Sequence, residues 1–252
     1  MELTRAELFL LLNQPGPLWL SGIDLSEAIL IRVRLPGVNL LKANLSNTNL
    51  SGAVITEARM LAVDLRGARA VGAAFIGTNF TGSNLSGANF FESDLTDANF
   101  FEADLSRVIL ARSNLNRANL SRAILSGAIF TEANLNGVNF AEAELKDVDL
   151  SGQSLISVDM SECILEDVNL CGANLTNAKL VRTKFIRCNL SGADLTRTDL
   201  SEADLTGADL SRCNFTHANL RRAIVDDEQL IGAESLEHTI MPDGEQHPPK
   251  KH

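Results

Sequence analysis

The sequence predicts a solenoid, and three observations predict it. From Leu20 onward every fifth residue is Leu, Phe, Ile or Met, with Ala once at position 70, and the spacing runs without insertion or deletion to Leu220 and then Val225. Two residues before most of these centres stands a small residue, usually Ala and otherwise Val, Thr, Ser or Cys, as at Ala43, Val138, Cys188 and Ala203. Asn or Asp mostly fills the position between, and Ser or Thr then Gly, Glu or Arg follows, so residues 18–222 read as forty-one pentapeptides in one register. This period matches neither a helix nor a flat strand. It requires a chain that turns every five residues and stacks on itself.

The consensus A(N/D)LSG resembles the pentapeptide-repeat family, whose signature is A(D/N)LXX, and the resemblance covers about four fifths of the chain. It implies an all-β solenoid: a right-handed quadrilateral β-helix in which four pentapeptides form one square coil, about ten coils in all, with short helical N- and C-terminal caps. The central and small positions then point inward and the other three outward. The residue types suit such a coil. A central Leu or Phe fills the interior, and Ala beside it leaves room for the larger neighbour. Coils paired at about 4.8 Å would make a rod about 50 Å long. Phe80 and Phe100 are expected to stack on successive coils. Ala70, flanked in its stack by Leu50 and Phe90, is expected to have its missing volume filled by the Phe90 ring.

Four segments follow from where the pattern starts and stops. Residues 1–17 are expected to cap the first coil: "LTRAELFLLLN" at 3–13 reads as an amphipathic helix with Thr4 and Glu7 spaced as a capping box, ended by "QPGP" and helped by Trp19. Such a lid is needed because a bare solenoid end exposes unpaired backbone that templates aggregation. Residues 18–225 form the repeat. Residues 226–243 are expected to form a C-terminal cap, because the register breaks at Glu228 and a short helical stretch leads to the turn "MPDG". This closing segment resembles that of bacterial, particularly cyanobacterial, family members, and leaves two readings open: a monomer, or a dimer through the terminal cap. Residues 244–252, polar and proline-bearing, read as a disordered tail.

A net charge of -10 disfavours binding to polyanions, so neither direct nucleic-acid binding nor a membrane partner is expected. The only early apolar run is short for a signal-peptide core, and no stretch is long enough to span a membrane. The four cysteines lack CxxC spacing and the four histidines are scattered, which argues against zinc and any other cofactor. A cytoplasmic protein with free thiols is expected.

The chemistry-bearing residues read mostly as scaffold. Cys163, Cys188 and Cys213 occupy the small inward position, while Cys171 is outward with no cation spaced to activate it. The outward Ser and Thr residues have no base beside them, so no nucleophilic site and no enzyme is expected. Gln153 is a long polar residue at a small inward position, which leaves three readings open: a local bulge, an amide bonded to coil backbone, or a notch for a ligand or partner. Asp194, Asp199, Asp204 and Asp209 emerge on four separate sides and cannot converge on a metal. Asp199 is expected over Lys179 and Asp204 over Lys184.

Charges twenty residues apart form columns such as Glu102, Arg122, Glu142, Glu162, Arg182, Glu202 and Arg222, in which every Arg has a neighbouring Glu. A second column holds Glu92, Arg112 and Glu132, and Asp97 meets Arg117 as Asp167 meets Arg187. Arg107, Arg112, Arg117 and Arg122 fall on four different faces, so they make no basic groove.

The outward apolar residues are the better candidates for an interaction surface. Leu41, Leu61 and Phe101 share one column interrupted by Thr81, Val71 and Phe91 stack on the opposite face, and Ile109 and Ile129 on another. The expected function is a noncatalytic rod-like scaffold or protein-interaction module whose protein partner the sequence does not name. The family resemblance implies an alternative, a DNA-mimicking binder of DNA gyrase or another type II topoisomerase. Against it, the acidic columns here are broken by arginine and the repeat carries no loop insertion.

Overall fold

The computed structural model describes residues 10, 14 and 16–248. The helix expected over residues 3–13 therefore lies outside the described residues, except at Leu10.

Each pentapeptide makes one tight turn. The residue two after each centre has a left-handed backbone, with φ of 56° at Glu92, 62° at Gly72 and 58° at Arg112, and in most repeats the next N–H donates back to the centre's carbonyl, as from Ala103 to Phe100 at 2.9 Å. A positive φ at the third residue of a four-residue turn is the type II signature. The Asn or Asp before the centre closes a second small ring: Asn99 Oδ1 accepts from the Phe101 N–H at 3.1 Å, and Asp104 Oδ1 from the Ser106 N–H at 2.9 Å. Their short side chains can reach backbone two residues on, which is why these residue types recur there.

Four such turns return the chain over itself. Asn79 bridges Asn99, Asn84 bridges Asp104, Asn89 bridges Ile109 and Asp94 bridges Asn114, all parallel and all twenty residues apart. The four faces can be named by their centres: face A by Met60, Phe80 and Phe100, face B by Leu65, Leu85 and Leu105, face C by Ala70, Phe90, Leu110, Phe130 and Leu150, and face D by Phe75, Leu95, Leu115, Leu135 and Leu155. Most rungs are single bridges because the turns consume the rest of each repeat. On face B three of them lengthen into strands β1 (Glu144–Lys146), β2 (Ile164–Glu166) and β3 (Lys184–Ile186), paired in parallel in that order with Leu145 opposite Leu165 and Leu165 opposite Phe185.

The core is a column of buried centres running from Leu20 to Leu220. Burying each Leu or Phe contributes about 1.5–3 kcal/mol. Phe80 and Phe100 stack with centroids 4.9 Å apart and planes 2° apart. Beside the fully buried Ala70, the Phe90 ring packs against Phe75 at 5.5 Å and Phe80 at 6.4 Å, so aromatic volume occupies what the small centre leaves. Hydroxyls at the small inward position donate to a centre carbonyl, either of the coil beneath, as from Thr78 to Ile55 at 2.6 Å and from Ser83 to Met60 and Thr183 to Met160 at 2.7 Å each, or of their own turn, as from Ser93 to Phe90 and Ser113 to Leu110 at 2.6 Å each. Interior polarity is thus satisfied by the coil backbone.

After the Asp204–Ile224 rung the spacing changes. Helix α1 (Asp227–Ile231) is started by a capping box: the Asp226 carboxylate accepts the Gln229 N–H at 2.7 Å, and Gln229 Oε1 accepts the Asp226 N–H at 3.0 Å. Gln229 Nε2 donates to the Leu205 and Ala208 carbonyls, both at 2.8 Å, and Leu230 is buried. The chain then resumes pairing with one residue gained, Asn214 with Ser235 and Asn219 with Ile240. The break at Glu228 is a corner, with stacked chain beyond it.

Two expectations about the ends are corrected. Residues 244–247 are not a loose tail: the Met241 N–H donates to Glu245 O and the His247 N–H to Thr239 O, both at 2.8 Å, with Ile240 and Gln246 paired antiparallel. The stack's last edge offers free backbone groups, and the tail folds back to satisfy them. Trp19 does not help to lid the first coil. It sits in the outward position before a centre and is 81% exposed. Among the described residues no helix is long and apolar enough to cross a membrane.

Candidate functional site

The proposed surface residues lie in the columns their spacing implies. On face A the Lys42 N–H donates to Leu61 O, the Ala62 N–H to Thr81 O and the Gly82 N–H to Phe101 O, each at 2.9 Å, which places Leu61, Thr81 and Phe101 on successive coils above Leu41. On face C the Gly72 N–H donates to Phe91 O at 2.9 Å, one coil above Val71. All five apolar side chains are half-buried. The structure adds a feature the column reading missed. The Arg122 guanidinium lies over the Phe101 ring at 5.4 Å, and Arg112 over Phe91 at 5.6 Å. A spacing of one coil plus one residue joins each pair, a signal present in the sequence, and the cation faces the electron-rich ring.

Those arginines are themselves held from both sides. Arg122 reaches Glu142 at 2.9 Å and Glu102 at 3.5 Å, and Arg182 reaches Glu162 at 2.9 Å and Glu202 at 3.2 Å. Arg112 reaches Glu92 at 3.0 Å and Glu132 at 3.7 Å. Arg117 pairs with Asp97 and Arg187 with Asp167, both at 2.6 Å, and these hydrogen bonds hold both carboxyls below the usual range. Asp199 stands over Lys179 as its bridge partner, as expected, and Asp204 over Lys184, while the Lys179 ammonium turns the other way, to Asp159 at 3.4 Å on the coil beneath.

Asp194, Asp199, Asp204 and Asp209 bridge four different partners, Asn174, Lys179, Lys184 and Asn189, so they stand on four faces. No cluster of metal-binding side chains occurs among the described residues. Cys163, Cys188 and Cys213 are buried and donate to the Phe140, Leu165 and Leu190 carbonyls at 2.9, 3.3 and 3.0 Å. Burial pushes their thiols up to about 12, 11 and 12 respectively. Cys171 is exposed and accepts from the Ser191 hydroxyl at 3.4 Å.

Among the described residues, Gln153 marks the one place where two adjacent faces lose their inter-coil rungs together. Its Nε2 donates to Phe130 O at 3.0 Å, the same carbonyl that a Thr or Ser at this position would reach from one bond beyond Cβ. The amide nitrogen lies two carbons further out, so Gln153 makes the bond only by standing back from the column, and it is half-buried where its counterparts are buried. Ala133, directly beneath it, is 7% exposed. Around this wedge the ladder is open. Leu110, Arg112, Leu115 and Arg117 donate normally to the coil above, at 2.8, 2.8, 2.9 and 2.9 Å, but no backbone bond joins the N–H groups of Phe130, Glu132, Leu135 and Gly137 to that coil. The rungs Ile129–Asp149 and Asn134–Ser154 are absent, whereas Asn139–Asp159 on face A and Glu144–Ile164 on face B are formed. A notch of about 330 Å³ opens at the corner between faces C and D, lined by Thr131, Glu132, Asp149, Ser151, Gly152 and Gln153.

The twenty-residue register has counterparts among known proteins. A family profile described as "Pentapeptide repeats (8 copies)" matches residues 20–56, 58–97, 98–137, 113–152, 133–170, 154–192, 163–201 and 188–227. The chain belongs to the pentapeptide-repeat family.

Among solved pentapeptide-repeat structures, HetL, involved in heterocyst differentiation regulation in the cyanobacterium Nostoc sp. strain PCC 7120, is 30% identical. That match covers 90% of this chain and 92% of HetL, with a TM-score of 0.34. The plasmid-mediated fluoroquinolone resistance protein QnrB1 is 22% identical, covering 78% of this chain and 91% of its own, with a TM-score of 0.48. A pentapeptide-repeat protein of the Arabidopsis thaliana thylakoid lumen is 26% identical over 50% of this chain and 63% of its own, with a TM-score of 0.18. No curated protein matches at significance. Membership rests on the repeat profile, and none of these superpositions carries an argument about the site.

Proposed function

We propose that this pentapeptide-repeat protein is a noncatalytic, rod-like protein-interaction module. In this reading it is a right-handed stack of about ten coils, closed by terminal caps, and acts as a monomer or as a dimer through its C-terminal segment. One observation carries the reading: inward side chains are consumed by packing and by bonds to the coil backbone, so what distinguishes this surface from any other is its outward columns. Those columns repeat at the strand interval, about 4.8 Å, a spacing that suits recognition of another protein by aligned side chains. Face A, with Leu41, Leu61 and Phe101, is the preferred docking surface, and Val71 with Phe91 forms the lesser one on face C. Free cysteines fit a cytoplasmic setting, and the net charge of -10 argues for a protein partner over nucleic acid.

The test is affinity capture from the native cell with the wild type and the Leu61→Asp/Phe101→Asp double variant, matched for melting temperature. A specific protein retained by the wild type and lost by the variant supports the reading. Identical captures by both remove face A from it.

A further inference from the structure

We infer that the seam beneath Gln153 is a binding notch for a short extended peptide with a basic side chain. The seam presents two facing rims. The lower carries the N–H groups of Phe130, Glu132, Leu135 and Gly137 together with the carbonyls of Ala128 and Ala133. The upper carries the carbonyls of Asp149, Ser151, Ser154 and Ile156, which on other coils accept from such N–H groups, together with the N–H groups of Asp149 and Ser154, which on other coils donate downward. None of these groups finds its inter-coil partner, although the equivalent rungs immediately below, Leu110 to Ile129 and Arg112 to Thr131, are both formed at 2.8 Å. A ligand that satisfies both rims must both donate and accept along each edge. The peptide group does this, and a main chain repeats it at the interval the rims impose, which is the chemistry of strand addition to an open edge.

Size and charge narrow the ligand. The notch volume of about 330 Å³ is at the small end of ligand sites, enough for about two or three residues. Glu132 stands at its mouth with its side chain 73% exposed, joined to Arg112 only at 3.7 Å. Asp149 is already engaged, its Oδ1 accepting from the Ser151 N–H at 2.9 Å and from Asn169 Nδ2 at 3.1 Å. Glu132 is therefore the carboxylate left to meet a cation on the incoming peptide. Ile156, exposed at the far end of the open stretch, supplies an apolar contact. The notch lies at the corner of faces C and D, further along the column that holds Val71 and Phe91 but apart from Leu41, Leu61 and Phe101 on face A, so it stands or falls independently of the preferred docking surface proposed above.

The test is a titration of the ¹⁵N-labelled full chain with the capped tripeptide acetyl-Gly-Lys-Gly-amide, read by amide chemical shifts. The expected result is saturable shifts confined to the seam amides, among them Phe130, Glu132, Gly152 and Gln153. These shifts should be at least about ten-fold weaker in the Gln153→Ala and Gln153→Thr variants, whose seams are closed. Glu132→Gln should weaken the lysine peptide and leave acetyl-Gly-Gly-Gly-amide unchanged. Slow amide exchange at Glu132, matching that at Arg112, certifies closure in whichever Gln153 variant folds. Absence of saturable shifts in the wild type, or equal binding by a variant with a certified closed seam, overturns the proposal.

Discussion

The side-chain amide of Gln153 is bonded to the carbonyl of Phe130 at 3.0 Å, and the backbone rungs on both faces beside that bond are missing. One long side chain thus replaces several main-chain bonds. Shortening it should let the coils close: Gln153→Ala, or Gln153→Thr with its hydroxyl placed as in Thr78 and Thr183, is expected to stabilise the protein by about 1–3 kcal/mol, since each regained bond nets about 1 kcal/mol and one is lost. Thermal melting reads the stability, and hydrogen exchange at Phe130, Glu132, Leu135 and Gly137 should slow by about ten-fold or more. A variant that melts lower than the wild type with exchange unchanged would show that Gln153 holds the coils together and does not wedge them.

Thiol chemistry offers a second check. Burial raises Cys163 and Cys213 to about 12 and Cys188 to about 11, so at neutral pH all three remain protonated thiols behind packed side chains. A colorimetric disulfide reagent should label Cys171 alone in the native protein and all four cysteines in denaturant. Native labelling of two or more would place an inward thiol within reach of solvent.

The paired carboxylates make stability fall in acid. Hydrogen bonds from Arg117 and Arg187 hold Asp97 and Asp167 below their ordinary value of 3.8. A lowered folded-state pKa means the stabilisation is complete above 3.8 and is lost as pH drops through the lower folded value. Arg117→Ala/Arg187→Ala should therefore melt below the wild type at pH 7, by less than the Gln153 effect because both pairs are exposed, and the two curves should converge in strong acid. A gap that is unchanged at low pH would assign the loss to packing of the arginine stems.

The acidic columns are neutralised in place. Arg122 and Arg182 each bridge glutamates on the coils above and below, so face A lacks the continuous negative charge of a nucleic-acid backbone. The purified protein is expected to leave gyrase supercoiling unchanged at micromolar concentration. Inhibition or protection in that assay would favour the DNA-mimicking reading over the one proposed.

Much of this was legible because a strict period converts sequence distance into position. Phe80 and Phe100 stack, Arg122 meets Glu102 and Glu142, and the four aspartates separate, all from counting in twenties. Counting fails where neighbours compete. Lys179 has an aspartate one coil away in each direction, Asp159 and Asp199, and spacing cannot say which its flexible stem will choose. The C-terminal residues differ from their sequence expectation for a related reason. Their composition is that of a loose tail, but the free edge at Thr239 and Ile240 gives residues 245–247 something to bond.

The sequence by itself determined the five-residue turn, the inward and outward positions and the charge columns, because each follows from local backbone chemistry repeated in register. Only the tertiary structure decided what Gln153 does. Its amide could have bulged outward, bonded the coil or opened a notch, and the outcome depended on the fixed place of the Phe130 carbonyl twenty-three residues earlier. The stack holds that carbonyl still. The side chain is two carbons longer than the Thr that makes the equivalent bond elsewhere, and the rungs beside it are open.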